Sequence, residues 1–270
     1  MAIVSGPTAG NYSKAFYRAK AAYAPILREL GLIDADSVFE HPDIKPWRHL
    51  PDRENCTLDA TLADGRFIRF HVKRWLKGKG FDGPAAEERG IKLLTKAGIG
   101  TVTFAAAGVT ADGRGFVITE DMTGYDDAEK LIERKAVAFD VVRDALADVA
   151  ARLHGAKLHH RDLYLCHFFL KIGDPAGDVR LIDCARVAPL PRFFRQRWII
   201  KDLAQFWYST TKLSTITDAQ RDAWLRRYCS RAKQGYDGTR KAVVRKAKWI
   251  ARHDARLTKS QPTRNVSIPR

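Results

Sequence analysis

The order in which strand-like and helix-like segments follow one another most constrains the fold of this chain. Residues 56 to 122 contain the strand-like runs CTLDATL, RFIRFHVKRW, TVTFAAAGVTA and GRGFVITEDM, with the turn signals Asp64-Gly65 and Asp112-Gly113. One helical segment, between Pro84 and Gly98, interrupts these runs, and the pattern that follows is mainly helical. A strand-rich segment with one embedded helix before a helical segment predicts an α+β fold of two lobes, joined near Glu120 to Met122.

The two ends of the chain predict helices as well. Phe16, Tyr23, Ile26 and Leu27 have helical spacing, so we expect a helix over residues 11 to 30. Near the other end, a Thr217/Gln220 capping box opens one helix, and a last basic helix runs from about Thr239 to Leu257. The predicted divisions are a helical extension at 1–45, a small β-rich N-lobe at 46–122, a larger helical C-lobe at 123–258 and a disordered basic tail at 259–270.

Composition excludes several classes of protein. The chain is 45% hydrophobic, which is too apolar for a disordered protein. None of its four cysteines belongs to a CxxC pair, which argues against a zinc ribbon. We see no signal peptide and no run of about 18 apolar residues, so we expect a cytoplasmic protein. The net charge of +16 favours an anionic partner, such as a phosphorylated substrate, a membrane surface or nucleic acid.

The residues that carry chemistry lie in two short motifs of the second half. His160-Arg161-Asp162 follows a long helix, and Leu181-Ile182-Asp183 ends a short apolar strand. Transfer of phosphate from ATP needs a carboxylate beside the incoming hydroxyl, a carboxylate for Mg²⁺ and a lysine on the phosphate oxygens. Lys73 and Glu87 supply a strand lysine and a helix glutamate upstream, which is the order of parts in protein kinases. Glu87 is preferred to the adjacent Glu88 because it shares the face of Ile91 and Leu94.

Three segments together are more specific than either motif alone. LHHRDLYLCHFFL, LIDCARV and IIKDLAQFWYS resemble the lipopolysaccharide core kinase family, which comprises the Kdo kinase and heptose kinase (WaaP-like) group of protein-kinase-like enzymes. The resemblance runs from about Phe67 to Ser209. It implies an ATP- and Mg²⁺-dependent kinase that transfers the γ-phosphate of ATP to a sugar hydroxyl, of Kdo or heptose, in the lipopolysaccharide inner core.

The resemblance also implies a role for each matching residue. Asp162 is the expected catalytic carboxylate, Asp183 and His167 the expected metal ligands, and Lys73, held by Glu87, the expected phosphate contact. Arg186 also matches the family pattern, but the sequence offers no physical argument for its role. The remaining expectations are Glu120 and Met122 at the nucleotide, His160, Arg161 and Asp202 as structural support, and Arg192, Arg195 and Arg197 at the acceptor.

Two departures from protein kinases keep alternatives open. No glycine lies in PWRHLPDRENCTL, where the phosphate loop is expected, so either Arg53 substitutes a side chain or the nucleotide binds weakly. The segment between Asp183 and Asp202 is too short for a regulatory activation loop. A small-molecule phosphotransferase, a protein kinase and a pseudokinase therefore remain as alternatives of the same fold.

The expected partners follow from charge and from the resemblance. An anionic glycolipid and an anionic membrane surface, contacted peripherally at the cytoplasmic face of the inner membrane, fit the basic composition. Lys241, Arg245, Lys248 and Arg252 on the last helix are candidates for that membrane contact. A nucleic-acid-binding protein is the alternative from another class, but none of its motifs is present and no nucleic acid is expected. The sequence sets no oligomeric state.

Overall fold

The computed structural model describes residues 15–76 and 83–260, which form two compact units. Of these residues, the first unit holds 15–76, 83–89 and 103–121, and the second holds 90–102 and 122–260. The helices are α1 (Ala24–Glu29), α2 (Ala35–Glu40), α3 (Gly83–Lys96), α4 (Ala128–Glu133), α5 (Phe139–Gly155), α6 (Arg195–Thr211), α7 (Asp218–Ala232) and α8 (Tyr236–Ser260). The strands are β1 (Phe16–Ala19), β2 (Lys45–Leu50), β3 (Arg53–Thr61), β4 (Phe67–Trp75), β5 (Gly100–Thr101), β6 (Phe104–Val109), β7 (Gly115–Glu120), β8 (Tyr125–Asp127), β9 (Leu158–His159), β10 (Phe168–Lys171), β11 (Asp174–Leu181) and β12 (Ala188–Pro189).

A six-stranded antiparallel sheet forms the first unit, in the order β1-β6-β7-β4-β3-β2. Ile68, Phe70 and Val72 alternate along β4 and are buried, because successive side chains of a strand point to opposite faces. The two predicted hairpins are present, and Gly65 and Gly113 take the positive φ that their turns require, 83° and 90°. A β-rich N-terminal part followed by a helical C-terminal part confirms the predicted α+β class.

The expected helix over residues 11 to 30 is wrong in its first half. Residues 11–14 lie outside the described residues, and Phe16–Ala19 is strand β1, paired with β6. Only the later part of the predicted segment is helical, as the short α1, with Pro25 in its first turn and Gly31 after its end at a φ of 75°. The pairing with β6 comes from a distant part of the chain, and it overrides the local helical spacing.

Helices dominate the second unit. Helix α5 packs against α7, and α6 packs against α8. The ring of Trp224 stacks on that of Phe206 with centroids 3.9 Å apart, and both rings are buried. The predicted capping box is present, since Thr217 accepts from the Gln220 N–H and the Gln220 side chain accepts from the Thr217 N–H.

Two small sheets complete the second unit. One has the order β5-β11-β10-β8, and the other pairs β9 with β12. The predicted basic helix is α8, which includes residues 259 and 260 of the expected tail, while residues 261–270 lie outside the described residues. Among the described helices, none has the length and apolar character that crossing a membrane requires.

Candidate active site

The loop after β9 carries His160, Arg161 and Asp162, and a carboxylate on α6 holds its backbone. Asp202 is fully buried and accepts hydrogen bonds from the N–H of His160 (2.7 Å) and of Arg161 (2.8 Å). Arg161 has a φ of 70°, in the left-handed region, and these bonds hold the turn in place. Asp202 thus lies on a helix with its carboxylate directed at the backbone near His160.

The charge of Asp202 is stabilised from several sides. Burial raises the pKa of this carboxyl, but the hydrogen bond from His154 and those from the loop amides outweigh burial and lower it below its usual range. His154 Nε2 lies 3.3 Å from Asp202 Oδ2, and its Nδ1 lies 2.8 Å from the Tyr228 hydroxyl. His154 is therefore a buried structural residue.

Three further side chains of α6 hold the same loop, and the sequence analysis missed them. Lys201 Nζ donates to the Arg161 carbonyl at 2.6 Å, Gln205 Oε1 accepts from the Leu163 N–H, and Ser209 Oγ accepts from the Leu165 N–H. Asp202, Gln205 and Ser209 follow one another at three- and four-residue spacing, so they share one helix face. A polar stripe at helical spacing in KDLAQFWYS was the signal available in the sequence.

Asp162 is joined to the turn that follows the second motif. Its two carboxylate oxygens lie 3.0 Å and 2.8 Å from Arg186 Nη1, and Gln205 Nε2 lies 3.4 Å from one of them. Arg186 ends the 3₁₀ turn Cys184–Arg186, which begins directly after Asp183. Arg186 is therefore a cationic partner of Asp162, a contact for which the sequence offered only the family pattern.

His160 and His167 connect the two motifs. His160 is fully buried, and its Nε2 lies 3.0 Å from the Ile182 carbonyl. The Ile182 N–H donates to the His167 carbonyl at 3.0 Å. These contacts bring Asp183 beside His167, whose Nε2 lies 3.9 Å from Asp183 Oδ2.

The pair His167 and Asp183 fits a divalent cation. His167 Nδ1 lies 2.6 Å from the Asp162 carbonyl, a contact in which Nδ1 carries the proton and Nε2, on the side of Asp183, is left as the ligating atom. Mg²⁺ is usually bound through one or two carboxylates and completes its shell with water and substrate phosphates. Asp183 offers such a carboxylate, and the His167 imidazole lies beside it. Among the described residues no group of three or more His, Cys, Asp or Glu could hold a metal ion.

A protonated His167 cannot ligate a metal ion, so metal binding at this residue is expected to release a proton. Burial lowers the pKa of this imidazole, but its hydrogen bond with Cys166 and the nearby charge of Asp183 outweigh burial and raise it. Metal ligation requires a neutral imidazole. A divalent cation at Asp183 is therefore expected to displace a proton from His167.

In the first unit, the expected lysine and glutamate form an ion pair. Lys73 Nζ on β4 lies 2.9 Å from Glu87 Oε2 on α3, and Glu87 is buried. The neighbouring Glu88 pairs with Arg18. The structure thus pairs Lys73 with Glu87, as the shared face of Glu87, Ile91 and Leu94 predicted.

The glycine-free segment is a tight hairpin that places polar side chains beside Lys73. Strands β2 and β3 join at Pro51-Asp52, and Arg48, Asn55 and Lys73 lie opposite one another on three adjacent strands. Residues directly opposite in a sheet share one face. Within the described part of the chain, buried polar atoms of this hairpin without a hydrogen-bond partner include Trp47 Nε1, Arg53 Nε and Asn55 Oδ1. Buried polar atoms without a protein partner are uncommon, and bound water or a ligand satisfies such atoms in other proteins.

The remaining candidates are the residues expected at the nucleotide and at the acceptor. Glu120 ends β7 and accepts a hydrogen bond from the Tyr23 hydroxyl, and its N–H donates to the Thr103 carbonyl. Met122 is the first residue of the later segment of the second unit, and its carbonyl accepts a hydrogen bond from the Tyr125 N–H. Arg192, Arg195 and Arg197 are exposed at the start of α6.

Comparisons with known proteins agree with this geometry. The sequence profile of the lipopolysaccharide kinase (Kdo/WaaP) family matches residues 71–228. The lipopolysaccharide core heptose(I) kinase WaaP of Pseudomonas aeruginosa is 32% identical over 212 residues, which are 69% of this chain and 77% of that protein.

Two further sequences and one solved structure are also similar. The heptose(I) kinase WaaP of Escherichia coli K12 is 31% identical over 55% of this chain and 50% of its own length, and a second Escherichia coli WaaP is 30% identical over 53% and 57%. Among solved structures, the PAN3 pseudokinase of Neurospora crassa aligns with 81% of this chain and 65% of its own, with a TM-score of 0.42 and 14% identity. The family profile covers more than half of the chain and includes both motif loops, and the chain therefore belongs to the lipopolysaccharide kinase (Kdo/WaaP) family.

Proposed function

We propose that this chain transfers the γ-phosphate of ATP to a hydroxyl of a sugar in the lipopolysaccharide inner core. The observation that carries the proposal is the loop of Asp162, which the buried Asp202 fixes through two backbone N–H groups. A fixed carboxylate is what orientation of an acceptor hydroxyl requires. The three relatives are named heptose(I) kinases, which favours heptose over Kdo as the acceptor sugar.

In this proposal Asp162 is the catalytic carboxylate. The acceptor hydroxyl donates a hydrogen bond to Asp162, attacks the γ-phosphorus and gives its proton to that carboxylate, while ADP leaves. Arg186, already 2.8 Å from Asp162, keeps the carboxylate in place between turnovers and is close enough to meet the transferred phosphate. The guanidinium thereby also offsets the negative charge that gathers around Asp162.

Asp183 and His167 hold the divalent cation in the proposal. When bound, Mg²⁺ neutralises the negative charge of the phosphates. Asp183 has a φ of 59° and begins the turn that carries Arg186, so one short segment supplies both a metal ligand and the partner of Asp162. The hydrogen bond of His167 with the Asp162 carbonyl couples the metal ligand to the catalytic loop.

Side chains of the β2–β3 hairpin replace the glycine-rich loop in the proposal. Backbone N–H groups approach phosphates most closely where glycine removes the Cβ, and PWRHLPDRENCTL contains none. The Arg53 guanidinium and the Trp47 indole are donors on that hairpin, and Lys73, paired with Glu87, lies opposite Asn55 on the adjacent strand. Glu120 and Met122 are assigned to the adenine end of the nucleotide because Glu120 ends β7 and Met122 follows it in the chain, at the boundary between the sheet segment and the helical segment.

Arginines after β12 meet the acceptor in the proposal. Arg192, Arg195 and Arg197 follow Asp183 closely in sequence and are exposed. The inner core carries carboxylates and phosphates, which such residues attract. We place the enzyme in the cytoplasm, at the inner membrane surface where its acceptor is anchored.

Mass spectrometry of the glycolipid fraction tests the proposed function. Cells that lack the gene are expected to make lipopolysaccharide without one phosphate on one inner-core sugar, and the wild-type gene is expected to restore it. The gene carrying Asp162→Asn is the matched control and is not expected to restore it. An identical phosphate pattern with and without the gene would contradict the proposal.

A further inference from the structure

The segment between β12 and α6 presents two phenylalanines to solvent. Phe193 is 73% exposed and Phe194 is 84% exposed, the two largest fractions among the exposed large apolar residues that the structure describes. Phe194 has a φ of 62° and precedes the first residue of α6, so the pair lies at a turn of the backbone. Phenylalanine is mostly buried in folded proteins, because its ring gains about 1.5–3 kcal/mol on leaving water. Two adjacent exposed rings indicate a surface that becomes covered.

Arginines surround this pair, and we call Arg192, Phe193, Phe194, Arg195 and Arg197 the aromatic-basic patch. The Arg192 guanidinium lies 6.0 Å from the centroid of the Phe193 ring. All three arginines are exposed, and none forms an ion pair with an acidic side chain within residues 15–76 and 83–260. An apolar centre with unneutralised positive charge around it is complementary to an anionic surface with an apolar interior.

Helix α8 carries a third exposed aromatic and a fourth cation. The Gln196 side chain donates to that of Gln234, which joins the start of α6 to the segment before α8. Burial lowers the pKa of Lys246, and the positive charge of Arg197 lowers it further. Lys246 Nζ also lies 3.6 Å from the centroid of the Trp249 ring, and Trp249 is 53% exposed. Exposed aromatics and cations thus occur together on α6 and α8.

We propose that the aromatic-basic patch docks this protein on an anionic lipid bilayer, with Phe193 and Phe194 inserted among the acyl chains and the arginines bound to lipid phosphates. The proposal rests on the proposed function for its location at the inner membrane and deepens it, since the three arginines assigned to the anionic acceptor lie beside the bilayer that holds that acceptor. Docking itself requires neither ATP nor an acceptor sugar. Each arginine near an anionic leaflet adds attraction that salt screens, and apolar insertion adds a part that salt does not screen.

The shape and charge of the patch disfavour two other occupants. Proteins that bind single-stranded nucleic acid stack bases on aromatics along a basic groove, whereas both phenylalanines here protrude. A second copy of this chain would bring two arginine clusters together in a protein whose net charge is already +16. An anionic bilayer is attracted by the arginines and accepts the phenyl rings.

Sedimentation with lipid vesicles tests the proposal on the full chain. The wild type is expected to bind phosphatidylglycerol-containing vesicles, and Phe193→Ala/Phe194→Ala is expected to weaken binding at least about tenfold at every salt concentration. Phe193→Leu/Phe194→Leu keeps an apolar pair and is expected to retain most of the binding. Phe67→Ala is the matched control, since Phe67 is 64% exposed on the other unit and is expected to bind as the wild type does.

A second set of variants separates charge from insertion. Arg192→Gln/Arg195→Gln/Arg197→Gln is expected to reduce the salt dependence of vesicle binding. Its control, Lys20→Gln/Lys96→Gln/Lys135→Gln, removes three exposed charges elsewhere and is expected to preserve that dependence. Phosphorylation of a deacylated, water-soluble core acceptor by the phenylalanine variant is expected to stay unchanged, which distinguishes failure of docking from failure of the proposed function.

Several results would overturn docking by this patch. One is vesicle binding by the double alanine variant that equals that of the Phe67→Ala control. Another is binding of the wild type to neutral phosphatidylcholine vesicles as tight as to anionic ones. A third is a double alanine variant that loses as much affinity for a DNA oligonucleotide as it loses for vesicles. A wild-type dimer in lipid-free solution that the double alanine variant converts to a monomer would assign the patch to self-association.

Discussion

Asp202 is the single residue on which the geometry of the catalytic loop most depends. Its two oxygens receive the backbone N–H groups of His160 and Arg161, and no solvent reaches it. Neither the isolated sequence HRD nor the isolated sequence KDLA defines a site. The interaction between them does, because it fixes the backbone on which Asp162 stands.

Replacement of Asp202 by Asn should lower stability and change its pH dependence. A hydrogen bond to a charged acceptor contributes ~1.5–3 kcal/mol, and Asn retains one acceptor oxygen, so we expect a loss of about 2–4 kcal/mol in the free energy of unfolding. The pKa of Asp202 is lowered in the folded protein. Its stabilisation is therefore present above the unfolded pKa of about 3.9 and is lost as the pH falls through the folded value.

Urea unfolding between pH 3 and pH 7 measures both effects. The wild type is expected to lose stability below about pH 4 more steeply than Asp202→Asn. Asp237→Asn, which changes an exposed carboxylate on α8, is the control and should behave as the wild type does. Equal acid slopes for the wild type and Asp202→Asn would mean that Asp202 is not charged in the folded protein.

Variants of His167 distinguish a histidine that ligates the metal from one that only packs in the fold. Its Nε2 lies 3.9 Å from Asp183 Oδ2 while its Nδ1 contacts the Asp162 carbonyl. His167→Ala is expected to raise the Mg²⁺ concentration for half-maximal activity at least about tenfold, whereas His167→Asn supplies an oxygen ligand and is expected to retain near-normal dependence. Mg²⁺ titration of turnover measures this difference, and wild-type behaviour of both variants would make His167 structural.

Among the elements, those that follow from local pattern could be predicted from the sequence. The glycine turns of the β3–β4 and β6–β7 hairpins and the capping box of α7 each rest on residues within a few positions of one another. Strand β1 could not be predicted in this way, because its partner β6 lies about ninety residues away. The pattern of Phe16 and Tyr23 is compatible with a helix until that pairing is known.

The candidate site residues divide in the same way, into those that a local motif predicts and those that depend on contacts between distant segments. Asp162, Asp183, Lys73 and Glu87 were found because their motifs are local, and the structure pairs Lys73 with Glu87. The contact of Arg186 with Asp162 depends on how two loops meet, which local pattern does not state. Another such contact lies on α3, where a Cβ at Gly90 would stand 1.9 Å from the Cys184 carbonyl oxygen. Only glycine permits that approach to the turn after Asp183.

The β2–β3 hairpin is the element that decides whether nucleotide binding survives without glycine. If the Arg53 guanidinium donates to a phosphate, Arg53→Ala is expected to raise the KM for ATP about tenfold, since loss of a charge-assisted hydrogen bond costs ~1.5 kcal/mol. The kcat is expected to change little. Arg66→Ala, at the opposite end of β3 in the exposed turn before β4, is the control. Equal KM values for the two variants would leave Arg53 without a role at the phosphates.

For the whole molecule, family membership and geometry lead to the same chemistry by separate routes. The profile match covers β4 to α7, and the site geometry rests on contacts within each unit. From the net charge of +16 and the aromatic-basic patch we propose, in addition, a location at an anionic surface.

The most direct test of the central claim is transfer of labelled γ-phosphate from ATP to a purified lipopolysaccharide core acceptor. Wild-type protein is expected to label one inner-core sugar in a reaction that requires Mg²⁺. Asp162→Asn is expected to lower the rate about 10²-fold or more, in the range for loss of a general base, with ATP affinity little changed. An Asp162→Asn protein that is folded and transfers phosphate at the wild-type rate would contradict the account.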